Sequence, residues 1–282
     1  MSYILRRRKL GRTSVREIVA RTQQGIRGFR NDASLPLQAD YVFRWGCVSN
    51  VPQAGHIVNS AEAIHLASDK KKFRQILQEN DLCPNTWFQR QDVQLPCIVR
   101  PKYHHQGRHL YVAHTQTELD QAIGKAAAYR LSNGEWYASE IIDKVAEYRV
   151  FVVQGRVVCV ARKYPANPQA IAWNVFQGGR FENVNWDDWP LKACKEAIKV
   201  IELSKLDFGG VDIMMDATGE TYTLEVNAAP SLTSPYRQQC FAKAFDYVVQ
   251  HGKAKIPLIN AKGGYRKFIH PAVCEEAQLN AQ

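Results

Sequence analysis

The stretch FGGVDIMMDATGETYTLEVNAAPSL, residues 208–232, is the part of this chain that most restricts what it can fold into. Two apolar runs flank Asp216-Ala217-Thr218-Gly219, a turn composition, so the stretch reads as a β-hairpin. In a strand, residues two apart share a face, and Glu225 and Asn227 therefore project together. If the chain turns around Thr218-Gly219, Asp212 lies roughly opposite Glu225, where cross-strand neighbours stand about 5 Å apart. Three oxygen-bearing side chains then converge inside an otherwise packed sheet. Hard oxygen donors, two of them anionic, suit Mg²⁺, which is usually completed by water and substrate phosphates. The same residues could instead satisfy backbone groups or arginines at the end of a sheet, and the hairpin alone leaves both readings open.

The rest of the chain alternates hairpins with helices. DYVFRWGCVSN (40–50) reads as a strand and turn, and residues 58–84 as two helices, the second capped by Ser68 and lined by Phe73, Ile76 and Leu77. PCIVRPKY (96–103), the polar loop HHQGRH and LYVAHT suggest a hairpin. TELDQAIGKAAAYRL (117–131) reads as a helix with Thr117 and Asp120 in capping-box positions. EYRVFVVQGRVVCVARKY (147–164) alternates about a turn at Gln154-Gly155, and DDWPLKACKEAIKVIELSKL carries a helix with one apolar face. Hairpins interleaved with helices predict an α+β fold with a mixed or antiparallel sheet, not a doubly wound parallel one.

Phosphates that share a metal also need cations. Arg100 and Lys102 sit two apart on one predicted strand, just before a loop whose backbone could close over a triphosphate. Arg149 and Arg162 lie in the later hairpin, and Lys70 at a helix start, where the macrodipole adds positive potential.

Charge is uneven along the 282 residues. Of a net +10, residues 1–30 hold nine basic groups against the single acid Glu17. This basic arm is suited to phosphate, nucleic acid or an acidic protein surface, although a solvated basic helix has the same composition. No apolar run is long enough for a membrane helix, and the N-terminus lacks a secretory core, so a cytoplasmic protein is expected. The seven cysteines form no CxxC pair and read as reduced packing residues. His104, His105 and His109 read as solvated loop residues and take no role.

From about residue 57 to 250 the chain resembles the ATP-grasp enzymes, nearest to the carboxylate-amine ligase branch of D-alanine:D-alanine ligase, glutathione synthetase and the ribosomal-protein glutamate ligases. The segment VDIMMDATGETYTLEVNAAPSL is similar to that family's metal-binding segment, which implies two Mg²⁺ ions, or Mn²⁺ in their place, on Asp212, Glu225 and Asn227. The resemblance makes Lys70 a phosphate contact and puts Arg100, with Lys102 beside it, where the family carries a nucleotide-binding lysine. Glu140, Ile141, Ile142 and Asp143 would meet the adenine and Glu147 the ribose, while Arg162 and Asn174 would stand near the transferred groups. Departures are a flexible loop with Gly107 alone, Ser231 for the usual glycine, and Ala172 and Gly210 where relatives often carry arginine.

The implied layout is a basic arm and reduced leading segment (1–56), two ATP-grasp subdomains (57–138 and 139–256) clamping ATP, and a tail (257–282). The implied activity is ATP-dependent joining of a carboxylate to an amine through an acyl phosphate, releasing ADP and phosphate. The donor and acceptor would be a small molecule, peptide or protein, with an acidic partner at the arm. Two other readings compete: an ATP-binding module without ligase activity, and a nucleic-acid or acidic-protein binder acting through the arm.

Overall fold

The computed structural model describes residues 1–253 apart from positions 32, 34, 37, 52, 105–107, 168 and 174–177. The tail expected over 257–282 therefore lies outside the described residues.

The first 58 residues are not an arm. Strands β1 (Ser2–Arg6), β2 (Arg27–Arg30), β3 (Gln38–Trp45) and β4 (Gln53–Val58) pair in parallel in the order β2-β1-β3-β4, with helix α1 (Arg12–Val19) after β1. Tyr3, Ile4 and Leu5 are fully buried, because a parallel strand is covered on both faces and needs a continuous apolar run. The run is only three residues long, and the basic cluster that follows it is the β1–α1 loop. In α1 the residues Ser14, Val15 and Ile18 turn inward and leave Arg12 and Arg16 exposed.

Two helices follow, α2 (Ala61–Ser68) and α3 (Lys70–Gln78). The cap of α3 is Asp69, whose carboxylate accepts from Lys72 N at 3.1 Å, while Ser68 ends the preceding helix. A four-stranded antiparallel sheet comes next, in the order β5-β8-β6-β7, from β5 (Thr86–Trp87), β6 (Cys97–Pro101), β7 (Tyr111–Ala113) and β8 (Trp136–Glu140). Helix α4 (Gln116–Ala127) covers it, capped by the Thr115/Glu118 box rather than from Thr117 and Asp120; Asp120 instead pairs with Arg90.

The largest sheet is antiparallel throughout, in the order β11-β10-β9-β12-β13, from β9 (Lys144–Val153), β10 (Arg156–Tyr164), β11 (Arg180–Asn183), β12 (Phe208–Asp216) and β13 (Thr221–Asn227). Helix α5 (Leu191–Ser204) packs Ala193, Cys194, Ala197 and Ile201 on one face. Helix α6 (Pro235–His251) packs on the other, with the parallel sheet beyond it. The seam is aromatic: Phe43 stacks on Phe245 at 4.2 Å, and Trp45 meets Phe208 at 5.4 Å and Phe241 at 5.6 Å. The fold is α+β as expected, with one sheet wholly parallel. The six described cysteines are free, and among the described residues no helix is long and apolar enough to cross a membrane.

Gly11 pins the β1–α1 loop to this seam. Its φ of 70° is left-handed, and a Cβ there would lie 2.4 Å from the buried Trp45 ring. Gly134 shares the sign of φ, at 77°, but has open space around it. Gly11→Ala is expected to cost about 2–5 kcal/mol, strain and clash together, and Gly134→Ala about 1–2 kcal/mol. Melting temperatures of the two variants side by side check the difference.

Candidate active site

The two hairpins of the five-stranded sheet set the register of the site. Asp212 pairs across with Glu225 and, on its other side, with Arg149, and Lys163 pairs with Glu147. By the period of two, Glu147, Arg149, Lys163, Asp212, Glu225 and Asn227 share one face of the sheet. The pairing of Asp212 with Glu225 depends on a bulge in β13: the ladder runs Ile213–Thr223 and then Asp212–Glu225, which leaves Leu224 unpaired. Buried Arg74, on α3, donates to the carbonyls of Thr223 at 3.1 Å and Leu224 at 2.5 Å.

The face opens into a cavity of about 1380 Å³ that runs to the four-stranded sheet and the link Glu140–Lys144. Asp212, Glu225, Asn227, Arg100, Glu140, Ile141, Ile142, Asp143 and Glu147 all line it. Lys70 stands just behind, its Nζ 3.5 Å from Glu225 Oε2 and 3.1 Å from the Val226 carbonyl. Asn174 lies outside the described residues. Glu140 gives both carboxylate oxygens to Asn85, at 2.8 and 3.0 Å.

Besides Lys70, two described residues expected at the site are not at the cavity wall. Lys102 pairs with Glu135 at 2.7 Å and Asp69 at 3.3 Å, because it lies beyond the end of β6. Arg162 faces the other way, between the rings of Tyr148 at 6.0 Å and Tyr164 at 5.2 Å. A one-residue bulge between Val157 and Cys159 shifts β10, so Lys163 and not Arg162 stands opposite Glu147.

Three cations at the site were not singled out from sequence: Arg74, Lys144 and Lys163. Lys163 is the hub. Its Nζ is 2.8 Å from Asp212 Oδ2 and also pairs with Glu147 Oε1, whose other oxygen takes Lys144 at 2.6 Å. Arg149 forks onto Asp212 through Nε at 2.6 Å and a second nitrogen at 2.7 Å. Burial opposes the charge on Asp212, but Arg149 and Lys163 outweigh it and hold the carboxyl below its usual range. At Glu225 burial is likewise outweighed, by Lys70 and the hydrogen bond from Asn227 Nδ2 at 2.9 Å, and the carboxyl is well depressed.

These donors fit a hard cation. Both carboxylates are held anionic, and Glu225 Oε2 has only the loose 3.5 Å pairing with Lys70. Asp212 Oδ2 spends its lone pairs on Arg149 and Lys163, so Oδ1 is the oxygen with capacity left. An all-oxygen set of this kind suits Mg²⁺.

His104 departs from its expected solvated role. It is buried on the cavity wall, its Nε2 2.8 Å from the Tyr137 hydroxyl. Burial, with Arg100 beside it, pushes the imidazole down to about 3.

Two antiparallel sheets thus close on a cation-lined cavity, with an oxygen-donor shelf on one wall. The family model described as RimK-like ATP-grasp domain matches residues 64–243, and the chain belongs to that family. It is accordingly an ADP-forming ligase of the carboxylate-amine branch that uses ATP. No curated protein matches the chain. D-alanine–D-alanine ligase from Bacillus anthracis shares the fold at a TM-score of 0.64 and 12% identity, covering 89% of this chain and 97% of that one, and has also been solved with ATP. The ATP-grasp ligase PsnB with a minimal precursor gives 0.59 and 15%, covering 88% and 98%, and has also been solved with Mg and ADP. VanG D-Ala:D-Ser ligase from Enterococcus faecalis gives 0.58 and 14%, covering 79% and 74%.

Two outcomes follow from the geometry. Arg74→Met leaves the bulge carbonyls without donors and should lower stability by about 2–4 kcal/mol, read by denaturant titration. His104 is neutral when folded and titrates near 6.5 when unfolded, so its contribution is complete above pH 6.5 and is lost as pH falls toward 3. His104→Gln should flatten the fall of stability between pH 6 and 4 by up to ~1.4 kcal/mol per pH unit. Melting curves across that range are the check.

Proposed function

We propose that the chain activates a carboxylate with ATP and joins it to an amine through an acyl phosphate. The observation that carries this reading is the charge of the wall around the shelf. Arg7, Arg74, Arg100, Arg108, Lys144, Arg149 and Lys163 line the cavity, with Lys70 just behind, against Glu140, Asp143, Glu147, Asp212 and Glu225, eight cations to five carboxylates. Burying a surplus of positive charge is costly unless an anion completes it, and a nucleoside triphosphate is an anion of matching size.

The site divides by position. We assign the link Glu140–Asp143 to the base, and Arg100 and Lys70 are the groups to take the phosphates. Asp212, Glu225 and Asn227 would hold Mg²⁺, which when bound neutralises phosphate oxygens. The donor's carboxylate oxygen attacks the γ-phosphorus and the bond to ADP breaks. The amine nitrogen then attacks the acyl carbon, phosphate leaves with the C–O bonding pair, and the nitrogen gives up a proton. The contribution of the chain's own residues is fixed charge: cations locked in ion pairs need no reorganisation as negative charge shifts between phosphates. We also take residues 57–138 and 139–256 as the two units that clamp the nucleotide.

The test is melting temperature with MgATP, and ADP release over a panel of carboxylates and amines, for wild type, Glu225→Gln and Glu225→Ala. At saturation near 100 times Kd, wild type should gain about 2.7 kcal/mol, a rise on the order of 5 °C or more. Both variants should fold, lose most of that rise and release no ADP. An unchanged rise or undiminished turnover in Glu225→Ala would overturn the shelf assignment. A MgATP rise in wild type with no ADP release on any pairing would leave an ATP-binding module instead.

A further inference from the structure

The cavity uses one end of the β1–α1 loop and leaves the rest of that loop without a role. Residues 1–30 carry nine basic groups against the single acid Glu17, and that acid is taken by Arg16 and Arg21, each at 2.8 Å. Arg7, Arg8, Lys9 and Arg12 all lie exposed between β1 and the first turn of α1, and Arg16 continues the row one helical turn further on. Neither Lys9 nor Arg12 has a carboxylate partner among the described residues.

Like charges on a loose loop would spread apart, but this loop is fixed. Arg6 donates one guanidinium nitrogen to the carbonyls of Arg7 at 3.0 Å and Arg8 at 2.8 Å, and so curls the chain around its own side chain. At the far end Gly11 is held against the Trp45 ring, and a Cβ on Gly46 would lie 3.3 Å from Leu10. The cations are therefore displayed at one place, the carboxyl edge of the parallel sheet, beside the cavity mouth that Arg7 and Leu10 line.

What the surface lacks decides its partner. Leu10 is the one large apolar side chain exposed among the described residues from 2 to 31, and it belongs to the cavity lining. The rings of Tyr3, Phe43 and Trp45 are buried. A protein partner needs apolar anchors, since exposed ion pairs contribute at most about 1 kcal/mol each. A lipid surface needs an apolar face to insert. A nucleic-acid backbone needs neither, because cations that neutralise its phosphates release condensed counterions, and that release drives binding. Guanidinium, which supplies all but one of the row, also meets a phosphate with two parallel hydrogen bonds.

We propose that the outer face of the β1–α1 loop and α1, from Arg8 to Arg16, is a docking surface for the phosphate backbone of a nucleic acid, recognised by charge and not by base. The surface is built on the parallel sheet and needs neither ATP nor Mg²⁺; only Arg7, at the shared rim, belongs to both it and the cavity.

The test is fluorescence anisotropy of labelled DNA and RNA strands about 20 nucleotides long, without ATP, across a salt series starting near 50 mM. The proteins are wild type, Arg8→Ser/Lys9→Ser/Arg12→Ser, and a control, Lys125→Ser/Lys195→Ser/Lys199→Ser, which removes the same charge from exposed positions on α4 and α5. Wild type should bind both strands alike, log K falling against log salt with a slope of about −3, as expected for roughly four single-strand phosphate contacts. The loop variant should bind at least tenfold more weakly and flatten the slope by about 2, while the control stays within about threefold of wild type. Arg12→Ser alone should weaken binding about threefold, an independent reading should the triple change disturb the loop. No binding by wild type at low salt, a slope near zero, or a control that loses as much as the loop variant would each overturn the proposal. Hexaglutamate competing as strongly as the strands would assign the surface to an acidic protein and overturn it equally. MgATP should raise the melting temperature of all these proteins alike. Since anisotropy is read without nucleotide, its failure leaves the ligase reading standing, and a wild type that ignores MgATP fails that reading alone.

Discussion

The site depends on one backbone irregularity and the side chain that secures it. Near its tip, the β12–β13 hairpin pairs Met215 with Thr221 and Ile213 with Thr223; continued without change, that register would set Asp212 against Leu224. The bulge at Leu224 advances it by one residue, and Glu225 comes round to the face of Asp212. A bulge leaves backbone groups without ladder partners. Here the guanidinium of Arg74 accepts that task for the Thr223 and Leu224 carbonyls. Because Arg74 stands one helical turn from Lys70, the same helix that secures the register also brings an ammonium to Glu225.

Each buried charge at the wall is then held by another. Asp212 is gripped by Arg149 and Lys163, and Glu147 by Lys163 and Lys144. Isolated, any one of these groups would tend to neutralise rather than remain charged in the interior. Linked, both Asp212 and Glu225 stay anionic and Lys163 stays cationic, its ammonium raised by Asp212 and Glu147 against the burial that lowers it. A network with rigid members and a net positive balance is preorganised for an anionic ligand, since its dipoles need not turn when the ligand arrives.

Much of this was legible in the sequence, and what was not traces to particular residues. Turn chemistry and alternation located both hairpins and the Asp212–Glu225 pair. That pair was reached from a turn centred on Thr218-Gly219, and the bulge restores the register such a turn would have given. On the other hairpin, counting back from Gln154-Gly155 sets Arg162 opposite Glu147, and the bulge before Cys159 replaces it with Lys163. No local signal in VVCVARKY announces a bulge; a pattern of apolar residues on both faces hides the change of parity. The parallel sheet was missed for a related reason: its first strand buries only Tyr-Ile-Leu before a run of arginines, and charge density masked so short a strand. His104 was missed because burial comes from Tyr137, on a strand more than thirty residues away.

The same reasoning explains why the chain can lack arginine at Gly210, where relatives often carry one. A Cβ at Gly210 would already stand 3.0 Å from Pro230 and 3.4 Å from the stem of Arg149, so a larger side chain there would press on the segment that follows the shelf. The space is closed because Pro230 brings that segment back across the sheet, and the segment must return there to be held by Ser14 and Gln238. Positive charge at this end is therefore delivered from the flanking strand by Arg149 and from α6 by Arg237, not from β12 itself. Arg149 is committed to Asp212 through both of its contacting nitrogens, whereas Arg237 has no such commitment.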